Sequence, residues 1–210
     1  MDELNRSVLY RGQREATWEL LPQIDRELFC AYREQKGWSR ERHERVLIHE
    51  FRKGVRAFLS SAPNPWEELA LAQHHGLATR LLDWTTNPLV ALYFSVEAQT
   101  DAPASAVWEY RSRGDLGTSS HANPYEITTV LVLDPPHVSP RISVQSGRFT
   151  VHPPDNTPPD DSAVRKFLIP NKCRKGFKRQ LAKMGITRQS LFPDVDGVAW
   201  HANWLFSSLY

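Results

Sequence analysis

The chain has 210 residues, 40% of them apolar and 24% charged, with 26 Lys and Arg set against 24 Asp and Glu. That length suits one domain, and a core can form at this size without disulfide or metal staples. A net charge of only +2 gives no whole-molecule attraction to nucleic acid, so any such contact has to come from a local patch.

Val8-Leu9-Tyr10 is rich in β-forming residues and is stopped by Gly12. This predicts a strand ending at Arg11, with Val8 and Tyr10 on one face and Leu9 and Arg11 on the other. A polar helix is expected from about residue 25 to 35, closed by Gly37. Ser39 suits the N-cap of a long helix to about residue 60, whose Leu47, Phe51, Val55 and Phe58 recur at helical spacing. Asn64-Pro65-Trp66-Glu67 is a strong helix start, with Asn64 as cap, Pro65 at the first position and Glu67 as the capping-box acid. That helix ends near His75, where Gly76 supplies a left-handed stop. Thr86-Asn87-Pro88 repeats the signal and opens an apolar helix from Leu89 to Val96, read as central and buried. Between the two helices, residues 77–85 read as a short polar connector.

The second half reads as strands at 106–110, 127–133, 141–151 and 164–169, separated by Pro and Gly clusters. Residues 111–123 and 152–161 read as loop insertions. A basic amphipathic helix is expected over 172–184, stopped by Gly185, and a last helix after Pro193, within 194–208. Helices first and strands later favour an α+β fold, as one domain over 1–210.

Cys30 and Cys173 form no ligand-like spacing, which points to a reducing compartment. Residues 1–6 lack the apolar core of a secretion signal, and no apolar run reaches the length needed to cross a bilayer. The cytoplasm is therefore the expected location, with no membrane partner.

The densest set of functional side chains lies between residues 74 and 87. His74, Thr79, Arg80, Asp83 and Trp84 offer an imidazole, a hydroxyl, a guanidinium, a carboxylate and a stacking surface. Connectors between well-formed helices often carry sites on a rigid support. The alternative is that Arg80 and Asp83 pair with each other and Trp84 fills the core. The adjacent His74 and His75 point in different directions on a helix and lack a third ligand at metal spacing, so no metal is expected. Arg11, at a strand end before Gly12, suits forked recognition of an anion, with Gly12 leaving room for a ligand near the backbone. Ser143 and Gln145 share one strand face, and the alternation reverses at Gly147, which predicts a bulge or sharp turn that aims Gln145. Phosphate-loop, nucleophile-elbow and His-Glu-x-x-His patterns are absent from the sequence. Lys172, Arg174, Lys175, Lys178 and Arg179 form a basic cluster, either a solvated helix face or a phosphate contact.

Tyr10-Arg11-Gly12-Gln13, the run Leu71-Ala72-Gln73-His74-His75-Gly76-Leu77-Ala78-Thr79-Arg80-Leu81-Leu82-Asp83-Trp84-Thr85, then Asn87-Pro88 and Ala91-Leu92-Tyr93-Phe94, resemble the FRG domain. That family takes its name from an aromatic-Arg-Gly motif. The resemblance continues through Arg141 to Phe149 and ends at 191–197, with Ala78 standing where the family usually has Pro. A more distant similarity is to ADP-ribosyltransferases of the Arg-Ser-Glu class, in which a first-strand Arg holds the phosphates of NAD. Arg11 matches that element, Thr79 stands loosely for the middle hydroxyl, and Gln145 lies where a catalytic Glu is expected. A neutral amide orients a ribose hydroxyl but supplies less electrostatic stabilisation than a carboxylate.

The resemblance implies an ADP-ribosyltransferase-like fold and an enzyme that uses NAD, without a metal, to modify a protein or nucleic acid in a toxin or phage-defence role. Arg11, Thr79, Asp83 and Gln145 would carry the chemistry. Tyr10, Gly12, Gln13, His74, Arg80, Trp84 and Tyr93 would bind substrate. Two other readings remain open: a non-catalytic nucleotide- or phosphate-binding module, and a metal-independent nuclease that uses His74 and Asp83 as acid and base.

Overall fold

A computed structural model describes residues 8–112, 115–116, 123–134, 140–154 and 163–207. The fold is α+β, with a sheet in the order β4-β5-β6-β2-β1-β3-β7. The strands are β1 (Val8–Gln13), β2 (Leu81–Thr85), β3 (Ala104–Arg111), β4 (Asp115–Leu116), β5 (Leu131–Leu133), β6 (Gly147–Val151) and β7 (Val164–Pro170). Six of them pair antiparallel, and the two-residue β4 joins β5 in parallel.

The helices begin where local chemistry predicts. α1 (Glu27–Lys36) ends at Gly37 in the left-handed conformation. α2 (Arg40–Val55) is capped by the Ser39 hydroxyl, which accepts from the Arg42 N–H, and it gives way to a 3-10 turn over Arg56–Phe58. α3 (Pro65–His74) carries the full Asn64/Glu67 capping box. α4 (Pro88–Val96) is capped by Asn87 and packs across β1. α6 (Asn171–Lys183) follows β7, and α8 (Val195–Leu205) is capped by Asp194. The short helix α7 (Arg188–Leu191), with a Thr187/Ser190 capping box, goes beyond the sequence expectation.

Three segments differ from expectation. Residues 81–85, expected within the polar connector, are the central strand β2, buried at four of its five positions with only Asp83 exposed. A strand covered on both faces has no polar alternation to betray it. Residues 141–144, expected as strand, lie in the short helix α5 (Pro140–Val144). Ser146 at φ 49° then turns the chain into β6, so the parity reversal at Gly147 marks the junction of a helix with a strand. The strand expected over 127–133 is confined to 131–133. Most of the expected loops lie outside the described residues, namely 113–114 and 117–122 of the first and 155–161 of the second, as does Ser208 of the last helix.

Helices α2 and α3 close one side of the sheet over Ile48, Trp66, Leu69, Leu81, Phe149 and Val151. Helices α4, α6 and α7 pack with β3 and β7 around Val90, Tyr93, Val107, Ile169, Leu181 and Leu191. Leu9, Leu82, Trp84, Tyr110 and Val132 form a third cluster. Among the described residues no helix is long and apolar enough to cross a membrane.

Candidate functional site

β1 and β2 share one Cα pair, Tyr10↔Thr85, whereas β1 pairs with β3 along its whole length. Where the β1–β2 ladder stops, the Arg11 guanidinium bridges the gap. Its Nη1 donates to the Asp83 main-chain carbonyl at 2.6 Å and lies 3.6 Å from Asp83 Oδ2. A side chain thus satisfies a carbonyl that a neighbouring strand would otherwise satisfy.

The Arg11 side chain is 15% exposed and its Nε is buried with no hydrogen-bond partner among the described residues. Burial pulls its pKa below the usual arginine value, with Asp83 opposing the shift and the Arg26 charge adding to it. Arginine nevertheless stays a cation in proteins. The result is a partly desolvated cation with an unused donor. Such a group gains most from an incoming anion, because the low dielectric strengthens the bond.

Asp83 is the exposed partner, its side chain 56% accessible. Its Oδ2 accepts from Gln73 Nε2 at 3.0 Å, and Gln73 Oε1 in turn accepts from the Thr79 hydroxyl at 2.6 Å. Thr79 is fully buried and its oxygen also accepts from the Leu81 N–H. Thr79 therefore points away from solvent and orients Gln73, which orients the carboxylate. Gln73 sits within the quoted motif, yet its part in the site was not legible. Only the packing of the α3 C-terminus against β2 reveals it.

A cleft of about 1030 Å³ opens over this pair, at the upper end of the roughly 300–1,000 Å³ typical of small-molecule sites. Arg11, Asp83 and Gln145 all line it, so the structure brings together the three residues whose positions mattered most. Tyr10, Gly12, Gln13, His74 and Trp84 line it as well. Sequence reasoning missed Arg14, Arg26, Arg141 and Arg148 on its walls, together with Trp18, Phe94 and Phe192. Its cations exceed its carboxylates, which are Glu19, Glu27 and Asp83. Arg148 is held by Asp134 at 3.1 Å and Arg141 by Asp194 at 3.0 Å.

Several members do structural work inside the wall. Gly12 is fixed by close approach of protein: a Cβ there would lie 2.0 Å from the Ala91 carbonyl oxygen and 2.6 Å from the Ser95 nitrogen. Its small size admits α4, rather than a ligand as expected. Gln13 donates to the Glu19 carbonyl and accepts from Trp108 Nε1. Trp84 donates to the Thr150 hydroxyl and packs beside Tyr110. Gln145 Nε2 donates to the Leu191 carbonyl at 2.9 Å, and the Gln145 main-chain carbonyl accepts from the Thr85 hydroxyl. The Gln145 amide thereby ties α5 to α7 at the cleft edge. Burial, reinforced by His75 and Arg141 and opposed by Asp83, lowers the pKa of His74 and so favours its neutral ring.

Two expected substrate contacts lie elsewhere. Arg80 is 1% exposed and pairs with Glu44 at 3.4 Å rather than with Asp83. It also donates to the Pro124 carbonyl and lies over the Tyr125 ring. Burial holds the Glu44 carboxyl above its usual range, with Arg80 pulling it back. Tyr93 is buried on the far side of α4, where its hydroxyl meets Glu97.

The family model of the FRG domain matches residues 6–103. Over those residues the chain is similar to the FRG domain. No curated protein and no solved structure matches the chain. The FRG match contains Arg11, Gln73, His74, Thr79, Arg80 and Asp83, while Arg141, Gln145 and Arg148 lie beyond its end. The cleft is therefore built from the FRG segment on one side and from α5, β6 and the α7–α8 turn on the other.

Proposed function

We propose that the Arg11 cleft binds NAD and that the chain is an ADP-ribosyltransferase-like enzyme. The observation that carries this reading is the Arg11 guanidinium, whose buried Nε has no partner among the described residues and whose charge faces the mostly exposed Asp83 carboxylate. A pyrophosphate supplies acceptors of the right charge for that fork, and Arg26 and Arg14 extend the positive wall. Trp18, Phe94 and Phe192 offer ring surfaces for base or nicotinamide.

In the transfer, the bond between ribose C1′ and the nicotinamide nitrogen breaks, and nicotinamide leaves with the bonding pair. The acceptor nucleophile bonds to C1′ and loses its proton. In this reading Asp83, oriented by Gln73, stabilises positive charge as it develops on the ribose, the part that a Glu at position 145 would otherwise play. His74 takes the acceptor's proton.

A second reading, nucleotide binding without turnover, is favoured by the Gln145 amide, which is a neutral group already bonded to the Leu191 carbonyl. Incubation with NAD labelled in its nicotinamide separates the two. Release that Arg11→Ala abolishes supports the transferase. Measurable NAD affinity with no release supports the binding module. Neither affinity nor release refutes both.

A further inference from the structure

A second hollow of about 940 Å³ lies between α4, α6 and α8, on the other side of Arg14 from the Arg11 cleft. Its walls carry Arg174, Lys175, Lys178 and Arg188 against the acids Glu97 and Asp101. Glu97 is already engaged by Arg188 and by the Tyr93 hydroxyl. Among the described residues Arg174 donates to main-chain carbonyls, those of Arg14 and Ala98, and Lys178 donates to the Glu97 main-chain carbonyl at 2.9 Å. These bonds hold the cations in place without neutralising them. Burial lowers the pKa of Lys178; the Glu97 carboxylate opposes the shift, and Arg174 and Arg188 add to it.

Indoles interleave with the cations. Trp200 is 61% exposed and lies 5.0 Å from the Arg188 guanidinium, while Trp204 lies 5.3 Å from Lys178 Nζ. Along α6, Lys172, Lys175 and Arg179 follow one another at helical spacing and are all exposed, which carries the positive strip past the hollow.

We infer that this hollow binds single-stranded nucleic acid, with phosphates on the exposed α6 cations Lys172, Lys175 and Arg179 and a base stacked on Trp200. Alternating cations and aromatic faces match the alternation of phosphate and base in a single strand. A duplex keeps its bases stacked inside and offers no face to an indole, and an acidic peptide has no flat ring at each repeat. Arg14 lines both hollows, so a strand held here leads toward the Arg11 cleft. The binding itself does not depend on NAD chemistry.

The test is fluorescence anisotropy of the full chain with labelled oligo(dT) and oligo(U) of about 12 nucleotides, a length within the roughly 4–16 nucleotides that one OB fold, a common single-strand binder, covers. Binding of either at low salt is expected, and comparing the two arms separates DNA from RNA. Trp200→Ala should weaken it about tenfold through lost stacking, and Trp200→Phe should retain most of it. Lys175→Ala should reduce the slope of log affinity against log salt by about 0.7. Lys53→Ala on α2 should change nothing, and Arg11→Ala should bind the strand as the native chain does, even where NAD turnover is lost. No anisotropy change with either strand overturns the proposal. Native affinity in Trp200→Ala, or displacement by polyglutamate as effective as by unlabelled strand, overturns it as well.

Discussion

The Arg80–Glu44 pair offers a direct test of which charged residues in the FRG segment are scaffold. Both side chains are 1% exposed, the Nε–Oε2 separation is 3.4 Å, and Glu44 Oε1 also accepts from the Arg80 main-chain N–H at 2.8 Å. Arg80→Met leaves Glu44 as a buried carboxylate without its cation, and Glu44→Gln leaves the cation without its carboxylate. Removing one partner of such a pair costs about 3–5 kcal/mol. At roughly 2–4 °C per kcal/mol for a chain of this size, Tm should fall by about 6–20 °C in either single variant. Glu44→Gln/Arg80→Met removes both charges, while the glutamine oxygen keeps its bond to the residue-80 N–H. The double variant should therefore regain at least about 2 kcal/mol relative to the sum of the singles. Thermal and urea unfolding followed by circular dichroism give the cycle, and NAD titration gives affinity on whichever variants stay folded. Additive losses, or singles as stable as the native chain, would refute the buried-pair account. A stable Arg80→Met that loses NAD affinity tenfold would show that Arg80 reads the ligand after all.

Three further outcomes follow from individual contacts. Gly12→Ala places a methyl against the main chain of α4, which cannot yield without parting α4 from β1. A loss of about 3 kcal/mol or more is expected in urea unfolding, and a near-native midpoint would contradict the close packing. Burial, with repulsion from Arg40 and Arg80, lowers the pKa of His152 from 6.5 to about 3. Between those values the unfolded chain binds more protons than the folded one. Stability is thus full above pH 6.5 and falls as pH drops toward 3, by up to about 1.4 kcal/mol per pH unit from this group. His152→Asn should flatten that slope in unfolding titrations, and an unchanged slope would remove His152 from the account. Gln145→Glu, which restores the acid expected of a transferase, replaces a donor to the Leu191 carbonyl with a carboxylate. It should lower stability by about 1–3 kcal/mol in a thermal shift, and a more stable variant would mean that the amide does not tether α7.

The sequence exposes what is decided locally. The caps at Ser39, Asn64 and Asn87 and the left-handed stop at Gly37 each depend on a few adjacent residues, and all four stand as read. β2 escaped because burial on both faces erases the polar alternation that marks a half-exposed strand. Residues 141–144 escaped because Ile142 and Val144 fit a strand's two-residue period, while a helix of five residues is too short to show a 3.6-residue period. Arg11, His74, Asp83 and Gln145, which the sequence reading grouped as one candidate site, line a single cleft. Its internal assignments were not legible, because the partners are distant in the chain. Arg80 takes Glu44, 36 residues away, and leaves Asp83 to Arg11, 72 residues away. Thr79 and Gln73 are six residues apart, but only the turn between α3 and β2 brings hydroxyl, amide and carboxylate into a line.

Arg11 and its unpartnered Nε carry the functional reading, so the most direct measurement is isothermal titration of NAD into the native chain and into Arg11→Met. The account predicts saturable binding to the native chain and at least a tenfold loss in Arg11→Met, the loss of one charge-assisted forked contact being worth about 1.5–3 kcal/mol, with Tm unchanged within a few degrees. Equal affinities in the two proteins, or no heat of binding with either, would contradict it.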